Sequence, residues 1–454
     1  MAATQDGGGC MEAAETADKS AGSPNGPLAH GSRVLLGESD LGPGDEQPRR
    51  DAVETQLSAL LQSEHLNLLI GAGLTTGLAR AAGSAVTIEM QSPLSVGDLE
   101  IDEKLESAAA KTAAAAGRGD APNIEDRLHI AMAAARGLAF LGDRRADKIA
   151  AAVDAALEAL RSSVAATEAE ILGASGRSAA GAMTVQGLIM TFLGAFAGRA
   201  PTRDRLHIFI TNYDRVIEWG AELAGLRVID RFVGSMRPVF RSSRLEVDYH
   251  YSPPGSVRDP RHLDGVFRLT KLHGSLDWEW SAGDRMVVRQ NAPFGHASRS
   301  APRDLLIYPN SAKDSETNLY PYADLFRDFS AALCRPHSVL VTYGYSFGDG
   351  HINRVIRDML TIPSTHLMAI SFDDKSGRIE RFASDHRRLG QISLLIGSDL
   401  AGLDSMVDRW LPWPSAEFLT QRRAEIYRER DSATGGRAPS GGPEKARSVS
   451  GHGD

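Results

Sequence analysis

Short apolar runs that break abruptly into glycine or small polar residues constrain this chain more than any other feature. Such runs occur at residues 66–70, 206–210, 266–269, 305–307, 338–343, 366–372 and 392–395. Each has the length of a strand rather than a helix, and each is apolar at consecutive positions instead of alternating ones. That pattern belongs to strands covered on both faces, the condition met in a mainly parallel sheet. Helical segments lie between most of them. The expected fold is therefore α/β: a doubly wound, mainly parallel sheet.

Between residues 84 and 182 the character changes to alanine-rich, helix-forming sequence, centred on residues 124–141 and 147–172. This segment reads as a helical insertion, suited to core packing, to an oligomer interface or to a lid. One folded unit is expected over 51–425 including that insertion. It is flanked by disordered tails at 1–50 and 432–454, where Gly, Ser, Ala and charged residues show no apolar periodicity.

The formal charge of -8 supplies no electrostatic reason to bind nucleic acid. Only Cys10 and Cys334 occur, so neither a disulfide framework nor a four-cysteine zinc site can be assembled. No uninterrupted apolar run reaches the roughly 18 residues of a membrane span. A cytoplasmic protein that neither enters a membrane nor contacts nucleic acid directly is expected, and no phosphate-binding GxxxxGK[ST] loop is present.

Four strand ends carry the candidate chemistry. Gly71-Ala72-Gly73-Leu74-Thr75 makes a glycine turn into a helix, a place where phosphate can meet free backbone N–H groups, although the full GxGxxG spacing is not met. Thr211-Asn212-Tyr213-Asp214 places polar side chains where a second strand ends; Asp214 suits either a ligand or a helix cap. Lys271-Leu272-His273-Gly274-Ser275 carries an imidazole fit for proton transfer or for a structural hydrogen bond. Gly344-Tyr345-Ser346-Phe347-Gly348-Asp349-Gly350-His351 ends a fourth strand, with Ser346 suited to phosphate or ribose and Asp349 or His351 to a helix cap. The acidic Asp373-Asp374 pair is a lesser ribose candidate.

In this order, the glycine turn, Asn-x-Asp, His-Gly and Gly-x-Ser-Phe resemble the sirtuin signature, and more closely that of the bacterial sirtuin-like proteins of antiphage defence. Further phrases that carry the resemblance are Asn123-Ile124-Glu125, Glu218, Trp278, Ile307-Tyr308-Pro309 with Lys313, and Asn353. The resemblance implies a Rossmann-like catalytic domain that binds NAD as substrate, with Gly71, Ala72, Gly73, Thr75, Thr211, Gly344 and Ser346 around it. It implies catalytic roles for Asn212, His273 and Asp214: Asn212 holding a water, His273 accepting a proton, and Asp214 orienting the nicotinamide side or the local backbone. Thr211 stands where sirtuins carry glutamine, the Pro-Asp-Phe-Arg stretch after the glycine turn is missing, and so are the zinc cysteines that help shape a peptide groove. Water is then the expected acceptor and NAD hydrolysis the expected reaction, without zinc. A homo-oligomer and a separately encoded HerA-type ATPase partner are also implied. Two other readings stay open, a non-catalytic NAD or ADP-ribose sensor that regulates a partner and a protein deacylase.

Overall fold

The computed structural model describes residues 32–42, 46–84, 90–115, 121–176, 183–200, 202–243, 247–251, 261–283, 285–297, 305–307, 320–386 and 389–412. The strands run in chain order as β1 (Arg33–Leu36), β2 (Ser39–Leu41), β3 (His65–Ile70), β4 (His207–Ile210), β5 (Arg227–Ile229), β6 (Phe232–Val233), β7 (Val239–Phe240), β8 (His250–Tyr251) and β9 (Arg261–His262). They continue as β10 (Val266–Lys271), β11 (Gly274–Ser281), β12 (Met286–Arg289), β13 (Leu305–Ile307), β14 (Ser338–Tyr343), β15 (His366–Ser371) and β16 (Ile392–Ile396). The main helices are α1 (Glu46–Leu61), α2 (Ala72–Ala81), α3 (Leu99–Ala115), α4 (Ile124–Phe140), α5 (Arg145–Gly173), α6 (Val185–Ala197), α7 (Val216–Ala224), α8 (Tyr322–Leu333), α9 (Gly350–Leu360) and α10 (Arg378–Ser384).

Nine strands form one sheet in the order β2-β1-β16-β15-β14-β3-β4-β10-β5. From β16 to β5 every neighbouring pair is parallel, as the doubly apolar runs require. Successive side chains enter opposite cores: Leu68 and Ile70 pack with α1, α2, α6 and α7, whereas Leu69 packs with α8, α9 and α10. The chain builds outward from β3 through β4 to β10 and β5, then returns to lay β14, β15 and β16 on the other side. The direction of winding therefore reverses between β3 and β14. In open parallel sheets that reversal opens a crevice at the carboxyl ends of the two strands, the place where Gly71 and Gly344 lie.

Two expectations are corrected. The N-terminal tail does not extend to residue 50: Arg33–Leu36 pairs antiparallel with β16, residues 39–41 complete a hairpin, and α1 begins at Glu46. Val34 is fully buried, so this edge belongs to the core. The run at 305–307 does not join the main sheet; β13 pairs antiparallel with β11 in a second, five-stranded sheet ordered β13-β11-β12-β7-β6. A three-residue apolar strand has no feature that tells one sheet from another. That second sheet is itself an addition, signalled in retrospect by alternation in Trp278-Glu279-Trp280-Ser281. The tail at 432–454 lies outside the described residues, as do Tyr308, Pro309 and Lys313.

The alanine-rich insertion is helical: α3, α4 and α5 enclose their own core of Leu105, Leu128, Ile149, Val153, Leu157 and Val164. Tyr213 and Leu276 join it, which seats the helices beside the ends of β4 and β10.

Candidate active site

Each of the four polar strand ends is fixed to its neighbour by backbone. Gly71 N–H donates to Tyr343 O at 3.0 Å, Thr211 N–H to Ile70 O at 3.1 Å and Leu272 N–H to Ile210 O at 2.9 Å. The carboxyl ends of β14, β3, β4 and β10 thus form one continuous rim, which holds Gly344, Gly71, Asn212 and His273.

The glycines have a reason that precedes any ligand. A Cβ on Gly71 would sit 2.4 Å from Gly344 O, and one on Gly344 would sit 2.5 Å from Gly73 Cα. Gly344 also has φ +62°, a left-handed backbone that favours glycine. The two turns are packed backbone to backbone, and Gly73 N–H donates to Gly344 O at 3.2 Å. One amide at the start of α2 is therefore already engaged, while the exposed Ala72 stands at the open part of that helix start.

Asn212, Thr75 and Asp214 form a directed chain. Asp214 is fully buried, and its carboxylate accepts from Thr75 Oγ1 at 2.7 Å through Oδ2 and from Val216 N–H at 3.2 Å through Oδ1. The Thr75 hydroxyl donates to Asp214, so its oxygen is left to accept from Asn212 Nδ2 at 3.1 Å. The second Nδ2 hydrogen goes to Gly71 O at 3.1 Å. Both amide hydrogens are used, and Asn212 Oδ1 is the part of the side chain left to accept a hydrogen bond from a water or a ligand. Asp214 thus takes the cap expected of it, at the Val216 N–H in the first turn of α7, and holds Thr75 as well, so that both carboxylate oxygens meet protein groups.

His273 is 2% exposed, and its Nε2 lies 3.2 Å from Nε2 of His351. His351, at the start of α9, packs against Phe326 with ring centroids 4.8 Å apart. Only a capping role was read from the sequence for His351; what it does instead requires the fold, because 78 residues separate it from His273. Asp349 occupies the N-cap position of α9 without a side-chain capping bond. Asn353 braces the Ser346 loop by donating to Phe347 O at 2.9 Å and accepting from the Tyr345 hydroxyl at 3.0 Å. Ser346 is half-buried on that loop. Thr211 is half-buried, its hydroxyl 3.5 Å from Ile70 O. The Asp373-Asp374 pair serves its own turn: Asp373 accepts from Lys375 N–H and Asp374 from the start of α10.

The insertion is bolted to this rim by side chains that the sequence did not single out for the purpose. Asn123 caps α4 with a reciprocal pair of 3.0 Å bonds to Asp126, and the adjacent Glu125 accepts from Tyr213 OH at 2.6 Å. Glu168 of α5, wholly buried, accepts from Arg215 Nη2 at 2.6 Å and from Arg215 N–H at 2.7 Å. On the other side of the strand, Lys271 Nζ donates to Asp214 O and lies 3.2 Å from Glu218 Oε1. Among the described residues, no helix is long and apolar enough to cross a membrane.

The fold is an α/β sheet whose winding reverses between β3 and β14, with Asn212 and His273 just past the carboxyl ends of the neighbouring strands β4 and β10. Residues 206–388 match the family model of the SIR2-like domain, a family whose members use NAD. The match spans β4 to α10 and takes in Asn212, Asp214, His273, Gly344 and Ser346; the glycine turn at 71–75 lies upstream of it. No curated protein matches the chain.

Proposed function

We propose that the chain is an NAD glycohydrolase, which breaks the nicotinamide–ribose bond of NAD with water to give nicotinamide, ADP-ribose and a proton. The observation that carries this reading is the shared rim of Asn212 and His273 beside the Gly71–Gly344 contact, within a SIR2-like match. As the C–N bond breaks its electron pair leaves with nicotinamide, and positive charge builds on the ribose; a catalyst must place a nucleophile and remove its proton. Asn212 Oδ1 accepts from the attacking water, and Thr75 and Asp214 hold the amide in that orientation. His273 takes the proton from the water or from a ribose hydroxyl. Ala72, Gly73, Thr75, Thr211, Gly344 and Ser346 are the proposed contacts to the dinucleotide. Zinc has no part in these steps.

Unregulated loss of NAD is lethal, so in this reading the protein is a controlled effector of antiphage defence in the cytoplasm. It acts as a homo-oligomer with a separately encoded HerA-type ATPase. The test is NAD turnover by the purified full chain, alone and with the candidate ATPase. Asn212→Ala and His273→Ala are each expected to lower turnover by at least about 100-fold with the fold retained. Binding of NAD without turnover under any condition would replace the enzyme with a sensor.

A further inference from the structure

Separate from the rim, a cavity of about 790 Å³ opens at the β5 edge of the main sheet. One wall is α7, through Glu218, Trp219 and Glu222; another is residues 289–294; and Asp277 of β11 also lines it. Gly71, Asn212, His273 and Ser346 are not among its lining residues.

Its charges do not balance. Both arginines that line the cavity have a carboxylate, Arg215 pairing with Glu168 at 2.6 Å and Arg289 with Asp230, and Lys271, outside the lining, lies 3.2 Å from Glu218. Arg215 is further engaged by the carbonyls of Ala292, Pro293 and His296. Asp277 and Glu222 remain in excess. Asp277 is only 6% exposed, and its Oδ1 meets no donor among the described residues; neither does Glu218 Oε2. A buried carboxylate oxygen without a donor costs several kcal/mol, so such atoms are kept where something supplies the donor. Burial raises the Glu218 carboxyl, Lys271 pulls it back and the neighbouring Asp277 adds to the rise.

The remaining wall is aromatic and apolar. The Trp219 and Phe294 rings are parallel to within 3° with centroids 4.8 Å apart, and the exposed Val233, Val247 and Tyr249 stand at the cavity. Two unsatisfied oxygens from different residues call for a planar donor with several N–H groups, and an aromatic wall suits the same flat cation. No group of three or more His, Cys, Asp or Glu among the described residues is arranged to hold a metal ion. The volume falls within the roughly 300–1,000 Å³ of small-molecule sites.

We propose that this cavity binds a small organic cation carrying a guanidinium group, which donates to Asp277 Oδ1 and Glu218 Oε2 and lies against the Trp219–Phe294 wall. This assignment does not rest on the NAD-cleaving reading. Titration calorimetry of the full chain with n-butylguanidinium and with its uncharged isostere n-butylurea tests it. Binding of the cation, with the urea at least about 30-fold weaker and Asp277→Asn weakened by a similar factor, is the expected result, the scale of losing one partner of a buried charged hydrogen bond. Should Asp277→Asn fail to fold by circular dichroism, the comparison of the two isosteres on the unmodified protein decides. No heat with the cation, equal affinity for the urea, or a folded Asp277→Asn variant of unchanged affinity each overturns the assignment.

Discussion

Nε2 of His273 and Nε2 of His351 lie 3.2 Å apart, a contact that needs one ring to donate and the other to accept. Two imidazoliums cannot share it, so the hydrogen that one ring donates and the lone pair that the other offers are set together. In the NAD-cleaving reading, His351 tunes the proton acceptor without touching substrate. His351→Gln, which can hydrogen-bond but not titrate, is expected to lower kcat by about tenfold with little change in KM, and to change the shape of the pH–rate profile. Loss of His273 itself is expected to cost about 100-fold or more. A pH–rate profile of His351→Gln that overlays the unmodified one would leave His351 a packing residue.

The contact between Gly344 and Gly73 gives a sharper steric prediction. Alanine at 344 adds a Cβ 2.5 Å from Gly73 Cα at a backbone φ of +62°, so overlap and left-handed strain combine. Gly344→Ala is expected to cost about 3 kcal/mol or more in urea unfolding. A Cβ added at Gly350, at the start of α9, would meet nothing within 4 Å, and Gly350→Ala is expected to change stability by less than about 1 kcal/mol. Similar effects at the two positions would mean that the turns at 71–73 and 344 are not packed as described.

The main sheet was legible because strands such as residues 66–70 and 338–343 are apolar on both faces, and only a covered parallel sheet asks for that. Their polar ends made Asn212 and His273 visible for the same reason: a polar residue directly after a buried strand has a crevice or a cap as its destination. Arg33–Leu36 was not legible, since four residues inside a Gly- and Ser-rich stretch carry no periodicity, and β16 supplies the partner that makes them a strand. Glu168 was hidden by its helix; on α5 it reads as one more helix-favouring residue, and Arg215 is 47 positions away. The glycine turns were read for their chemistry toward phosphate, whereas the distances give Gly71 and Gly73 a packing duty toward Gly344 as well.

Acid stability follows from histidines far from the rim. Burial pulls the His366 imidazole down from 6.5 to about 4, and it holds His207 well below its ordinary value with help from nearby arginines. Both sit at the amino ends of their strands, β15 and β4. Unfolding restores the ordinary value, so between pH 6.5 and about 4 the unfolded chain binds a proton that the native His366 refuses. The unfolded state then holds more protons, and stability falls as pH falls through that window. Urea unfolding at about pH 7 and about pH 4.5 is expected to show this loss, with His366→Gln reducing it by about 1–2 kcal/mol. An identical pH dependence in His366→Gln would show that its ring is solvated.

Glu168 joins the helical insertion to the rim that holds Asn212 and His273. Its carboxylate accepts from Arg215 N–H, Nε and Nη2 and from Gly295 N–H, and it is wholly buried. Removing it strands a buried guanidinium, although the carbonyls of Ala292, Pro293 and His296 still receive part of its hydrogen bonding. Glu168→Ala is therefore expected to destabilise by about 3 kcal/mol, toward the lower end of the range for a broken buried pair. Glu168→Gln keeps an acceptor oxygen and is expected to cost less. Arg215 directly follows Asp214, whose carboxylate orients Thr75 and through it Asn212. Loosening Arg215 should thus also lower NAD turnover in the folded Glu168→Gln protein, by about tenfold, with His273 untouched. Stability loss without any change in turnover would confine Glu168 to holding the insertion in place.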